Sequence, residues 1–191
     1  MNRDTSSIEP DRGMRPFKSR YGQLWLVLVL AVQSTAVYAH SASDAYLTLT
    51  VDKTAAAGNV VHGQWDIALR DLDFVLQLDD NGDGRLTWGE VRRHQGAIER
   101  YAYRFLHFDG DPGNSCKIRP VRQMIDDHAD GAYAVLFFDV VCARAPKKLT
   151  LNYAMFFAID PSHRGIFVMN DGANAATAVL SPQNARIDLA L

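Results

Sequence analysis

A mainly β, sandwich-like fold carrying an inserted helix–loop–helix unit, and so β-rich α+β overall, is predicted by three observations. Several stretches alternate apolar and polar residues with period two, clusters of Asn, Asp and Gly punctuate them, and only the centre of the chain changes to helical spacing. At 191 residues the chain has room for one domain of ordinary size plus a targeting segment. With 48% hydrophobic and 22% charged residues it can bury a core, which excludes a disordered protein.

The first 39 residues are of a different character. Arg3, Arg12, Arg15, Lys18 and Arg20 precede the apolar run "LWLVLVLAV", and "QSTAVYAHS" supplies small residues after it. This pattern reads as an export signal, 1–39, cut before His40 because Val37 and Ala39 satisfy the small-x-small preference. Its apolar core of nine residues falls well short of the roughly 20 needed to span a bilayer. An uncleaved amino-terminal anchor is the rival reading. The remainder, 40–191, is expected to be a single exported domain, periplasmic or extracellular, with membrane association as a further option.

Export sets the charge and redox context. The leader takes five basic and three acidic residues from the chain's 20 and 22, leaving 15 against 19 and a net charge of −4. No basic patch or Lys/Arg run interleaved with aromatics appears, so neither nucleic acid nor an anionic membrane surface is an expected partner. Cys116 and Cys142 both lie in the exported part, where an even count is most simply one disulfide. Two buried free thiols are the alternative, and the spacing does not suit a metal knuckle.

From residue 45 the elements follow in order. "YLTLTV" places Leu47, Leu49 and Val51 on one face of a strand, and "VHGQWDIAL" does the same with Val61, Trp65, Ile67 and Leu69. "LDFVLQL" and "GEVRRHQGAIERYAYRFLHF" then carry helical spacing, with Val91, Ile98, Ala102 and Phe105 along one stripe; the helical unit spans about 71–105. "AYAVLFFDVVC" is apolar on both faces and suits a central strand, with Cys142 on the face of Leu136, Phe138 and Val140. "LTLNYAMFF" alternates through Leu149, Leu151, Tyr153, Met155 and Phe157, while "DDHADG" and "NDGAN" have the chemistry of hairpin turns. The helical unit is therefore placed between the second and third strands of the sandwich.

Between the two helical stretches lies "DDNGDGRLTWGE", residues 79 to 90. A hard cation such as calcium takes six to eight oxygens, which a twelve-residue loop supplies from positions 1, 3, 5, 7, 9 and 12, with Gly at 6 for the sharp turn. Asp79, Asn81 and Asp83 occupy the first three of these, Arg85 offers its carbonyl at 7, Thr87 can hold a bridging water at 9, and Glu90 stands at 12; Gly84 is at 6. Leu86 is apolar at position 8, and Phe74, Val75 and Leu78 are assigned the contacts of the incoming helix. The stretch resembles an EF-hand. His94 and Gln95 stand where paired hands are usually apolar, and neither "DGDPGNSCKIRP" nor the run from Asp126 provides a second loop, since Pro120 and Phe137 fall at their twelfth places.

A lone loop outside the cytoplasm needs an affinity of only order 10⁻⁵ to 10⁻³ M, and its expected role is structural: one Ca²⁺ clamps two helices and adds its binding free energy to folding. The partner is therefore calcium, with no small-molecule substrate inferred.

"AHSASDAYLTLTV", "GQWDIALRDLDFVLQLDDNGDGRLTWGEV", "DGAYAVLFF" and "LNYAMFFAIDPSHRGI" together resemble the exported amino-terminal domain of bacterial membrane proteins of the HupE/UreJ-like family, over nearly all of residues 39 to 191. The resemblance implies an accessory or sensing domain beside a membrane protein associated with nickel or cobalt uptake. No membrane-spanning run follows residue 39, so permease activity is not carried over.

Two other functions have features of the sequence to consider. Cleavage before His40 would pair a free amine with an imidazole, a copper-chelating terminus for which His62, His94, His107, His128 and His163 are candidate further ligands. An enzyme is not expected. No G-x-S-x-G elbow, HExxH helix or phosphate loop is present, and Asp71 with Asp73, or Asp126 with Asp127, read as a helix start and a turn.

Overall fold

The computed structural model describes residues 43–53, 60–172 and 175–191. The expected leader and the expected mature start at His40 lie outside the described residues.

Nine strands and three helices make up the described part: β1 (Asp44–Asp52), β2 (Val60–Ala68), α1 (Leu69–Leu76), α2 (Trp88–Arg93), α3 (Gln95–Ala102), β3 (Leu106–Asp109), β4 (Cys116–His128), β5 (Gly131–Cys142), β6 (Lys148–Tyr153), β7 (Arg164–Asn170), β8 (Ala175–Leu180) and β9 (Arg186–Ala190). Six strands form one sheet in the order β4-β5-β2-β1-β7-β8, and three form a second in the order β3-β6-β9. The mainly β expectation holds, and α1 to α3 fall between the second and third strands as the sequence indicates.

Period-two alternation explains why one face of β1, β3 and β7 is buried. Leu47, Leu49 and Val51 of β1 oppose Trp65, Gly63 and Val61 of β2, and Leu136, Phe138 and Val140 of β5 continue the same rows. These side chains meet the second sheet in one core: Phe138 packs on Phe108, and Trp65 meets Tyr153 edge-on at 5.6 Å. Gly63 is required by this packing. A Cβ there would sit 2.1 Å from the Phe138 ring, so only glycine lets the ring lie against β2. Cys116 and Cys142 face each other across β4 and β5 and are joined by a disulfide.

Three boundaries differ from the sequence reading. Leu69 opens α1 instead of ending β2. The alternating run from Leu149 stops pairing at Tyr153, where Ala154–Phe157 turns with Phe156 at φ 59°, although Met155 remains buried. The long outgoing helix breaks at His94, whose N–H is shared between the carbonyls of Glu90 and Val91, and helix gives way to strand at Leu106. Tertiary pairing decides the last case: Phe108 lies opposite Leu151, so the strand's ladder displaces a continuing helix. Among the described residues no helix is long and apolar enough to cross a membrane.

Candidate functional site

The acidic loop is held from both ends. α1 stops at Gln77, which takes the left-handed conformation (φ 53°) and donates its N–H to the Asp73 carbonyl. Asp73 Oδ1 then accepts from the N–H groups of Leu78 and Asp79, at 2.7 and 3.0 Å, fixing the direction in which the loop leaves the helix. Asp71 lies in the first turn of α1, in keeping with a helix start, while Asp73 serves the far end; Ala68 holds the cap position with no side-chain cap bond.

Inside the loop the side-chain oxygens gather backbone N–H groups. Asp79 Oδ1 accepts from Gly82 at 2.9 Å and Oδ2 from Gly84 at 2.7 Å. Asn81 Oδ1 accepts from the N–H of Asp83, and Asp83 Oδ1 from that of Arg85. Gly82 and Gly84 stand at φ 70° and 76°, a region in which a side chain would be strained, so both turns need glycine. Leu86 is partly buried against the core and anchors the loop's second half.

The exit is a capping box. Thr87 accepts from the Glu90 N–H, while Glu90 Oε2 accepts from Thr87 N–H at 2.8 Å and Thr87 Oγ1 at 2.7 Å. These Thr87 bonds hold the Glu90 carboxyl below the usual carboxylate range, against desolvation and the charge of Asp79. The carboxylate is 2% exposed. Across the loop, Asp80 binds Arg93 at 2.7 Å and His94 Nε2 at 2.8 Å, tying the second loop position to the end of α2, where the helix breaks.

Asp79, Asn81, Asp83, Arg85, Thr87 and Glu90 therefore lie on one loop, in which Asp79, Asn81, Asp83, Thr87 and Glu90 each accept from a backbone N–H of the loop. Among the described residues no three His, Cys, Asp or Glu side chains converge as a group able to hold a metal ion. The chemistry of the donor set still suits a hard cation, since it is all oxygen and includes three carboxylates. On the incoming helix, Leu78 is buried and Val75 partly so, but Phe74 is 78% exposed and makes none of the contacts assigned to it.

The histidines are dispersed. His62 binds Asp139, His94 binds Asp80, and His128 lies 3.3 Å from Asp66. His163 is buried between Ser43 and Tyr153, and His107 is exposed on β3. Sequence spacing does not group His163, Ser43 and Asp71, because they are far apart in the chain.

Fold and loop define the class: a two-sheet β domain with an acidic helix–loop–helix inserted between its second and third strands. No protein-family model matches the chain, and no curated protein matches it.

Proposed function

We propose that the chain binds one calcium ion through residues 79–90, in the manner of an EF-hand, and that the ion stabilises an exported accessory or sensing domain. The observation that carries the reading is the grip of Asp79 on Gly82 and Gly84: one carboxylate closes the loop on itself, with glycine at both positive-φ positions. That closure keeps Asp79, Asn81 and Asp83 on one short arc. Asp79, Asn81, Asp83, the carbonyl of Arg85 and Glu90 would hold the ion, with Thr87 holding a water. The ion would supply charge neutralisation among three carboxylates.

Within this reading Glu90 has two roles. In the capping box its carboxylate serves the α2 terminus; as the twelfth donor it serves the ion, and Thr87 is released to water. The loop then couples ion binding to the incoming helix through Asp73 and to the outgoing helix through Asp80 with Arg93 and His94. An exported setting supplies the calcium, and the disulfide is compatible with it. Equilibrium dialysis of the mature protein against calcium tests the proposal: one ion bound per chain, competed weakly by magnesium, supports it, and no bound ion at millimolar calcium defeats it.

A further inference from the structure

Ser43, Asp71, Phe74, Phe156, Ile159 and Asp160 line a cavity of about 250 Å³ that does not include any residue of the acidic loop. A buried chain of polar groups ends on its wall. Tyr153 OH lies 2.8 Å from His163 Nε2, His163 Nδ1 lies 2.6 Å from Ser43 Oγ, and Ser43 Oγ donates to Asp71 Oδ2 at 2.7 Å. Since the one Ser43 proton goes to Asp71, the donors order themselves in a single direction: His163 donates from Nδ1 to Ser43 and accepts at Nε2 from Tyr153. His163 is fully buried and desolvation pushes its pKa down to about 4, so it carries no charge to neutralise Asp71.

Asp71 is thereby fixed in orientation at a partly dry wall. Burial raises its pKa, and the nearby charge of Asp160 adds to the rise, against the opposing effects of Ser43 and Arg70. Asp160 spends Oδ1 on the N–H and hydroxyl of Ser162. Among the described residues no cationic side chain lines the cavity: Arg70 Nε is ion-paired with Asp71 at 3.7 Å and reaches on to Asp130, and Arg164 donates to the carbonyls of Pro161 and His163.

The remaining walls are apolar and oddly placed for a surface with nothing to bind. Phe74 and Ile159 are 78% and 51% exposed beside the two carboxylates, and Phe156 holds a left-handed φ of 59°. A bare metal ion is a poor fit, because two carboxylates and one hydroxyl fall short of the six or more oxygens that hard cations take, and the apolar walls add none. An anion would meet two like charges. A cation with an apolar body meets both halves of the lining, through charge-assisted hydrogen bonds and contact with ring faces.

We propose that this cavity binds a small organic ammonium, with its nitrogen between Asp71 and Asp160 and its apolar body against Phe74, Phe156 and Ile159. The source is either a free amine or a lysine side chain of another protein, which share this chemistry. The experiment is an NMR titration of the mature protein with 2-phenylethylammonium, its neutral isostere 2-phenylethanol, and N-acetyl-lysine methylamide. Saturable shifts confined to the cavity residues are expected with an ammonium and not with the alcohol. Stronger binding of phenylethylammonium assigns the site to a free amine, and stronger binding of the lysine derivative to a partner's lysine. Asp160→Asn keeps the acceptor for Ser162 and should weaken binding about tenfold or more. Phe74→Ala, at an exposed position, should weaken it without loss of fold. Equal binding of the alcohol, an unaltered affinity in Asp160→Asn, or no saturable shift with either ammonium would overturn the proposal.

Discussion

Replacing Glu90 by Gln separates the two roles assigned to this residue. Glutamine fits the same capping box, so the bonds from Thr87 N–H and Oγ1, now 2.8 and 2.7 Å to Oε2, keep an acceptor. In chelator, Glu90→Gln should therefore stay folded and melt modestly below wild type, because a neutral amide oxygen replaces a charge-assisted acceptor. Calcium acts differently. At an affinity of order 10⁻⁵ M, about 1 mM calcium is about a hundred times Kd and adds about 2.7 kcal/mol to stability. For a domain of this size that is a rise of about 5–11 °C, at about 2–4 °C per kcal/mol. The variant, without the bidentate carboxylate, should lose most of that rise. Differential scanning calorimetry in chelator and in calcium measures both. A variant that melts far below wild type in chelator, or keeps the full calcium-dependent rise, would refute the division of roles.

Leu72 is fully buried on α1, so Leu72→Ala should cost about 2–5 kcal/mol in urea unfolding; a loss below about 1 kcal/mol would mean α1 is not docked. Reduction of Cys116–Cys142 opens a loop with a sequence separation of 26, worth about 3.5 kcal/mol of chain entropy, and should lower the urea midpoint accordingly. Burial pushes the His163 pKa down to about 4, while an unfolded imidazole titrates near 6.5. The unfolded chain thus takes up the proton first on acidification, so this contribution is fully present above about pH 6.5 and is lost as pH falls toward 4, to a total of about 3 kcal/mol. His163→Gln should flatten the stability profile between about pH 7 and pH 5, and unchanged profiles would contradict it.

Much of the sandwich was legible because its strands alternate cleanly. β1 and β2 follow period-two runs and β5 follows the run that is apolar on both faces, with Leu47, Trp65, Leu136 and Phe138 buried as those patterns require. β4 was not legible, since as an edge strand it buries little, with Val121 and Met124 exposed and a bulge between Pro120 and Arg122. The helical stripe extends too far in the sequence because Val91, Ile98, Ala102 and Phe105 keep helical spacing, although the helix ends at Ala102 and Phe105 leads into β3. Within the loop, the place of Gly84 follows from the spacing. The supports do not: Asp73 on the loop's first N–H groups, and Asp80 on Arg93 and His94, depend on how the chain folds back.

A crystal structure of the mature protein grown in abundant calcium bears most directly on the calcium proposal. The expected result is one ion at about 2.3–2.6 Å from oxygens of Asp79, Asn81, Asp83, Arg85 and Glu90, with the Glu90 carboxylate turned from Thr87 toward the ion. Density for no ion, with Glu90 still closing the capping box on Thr87, would contradict it.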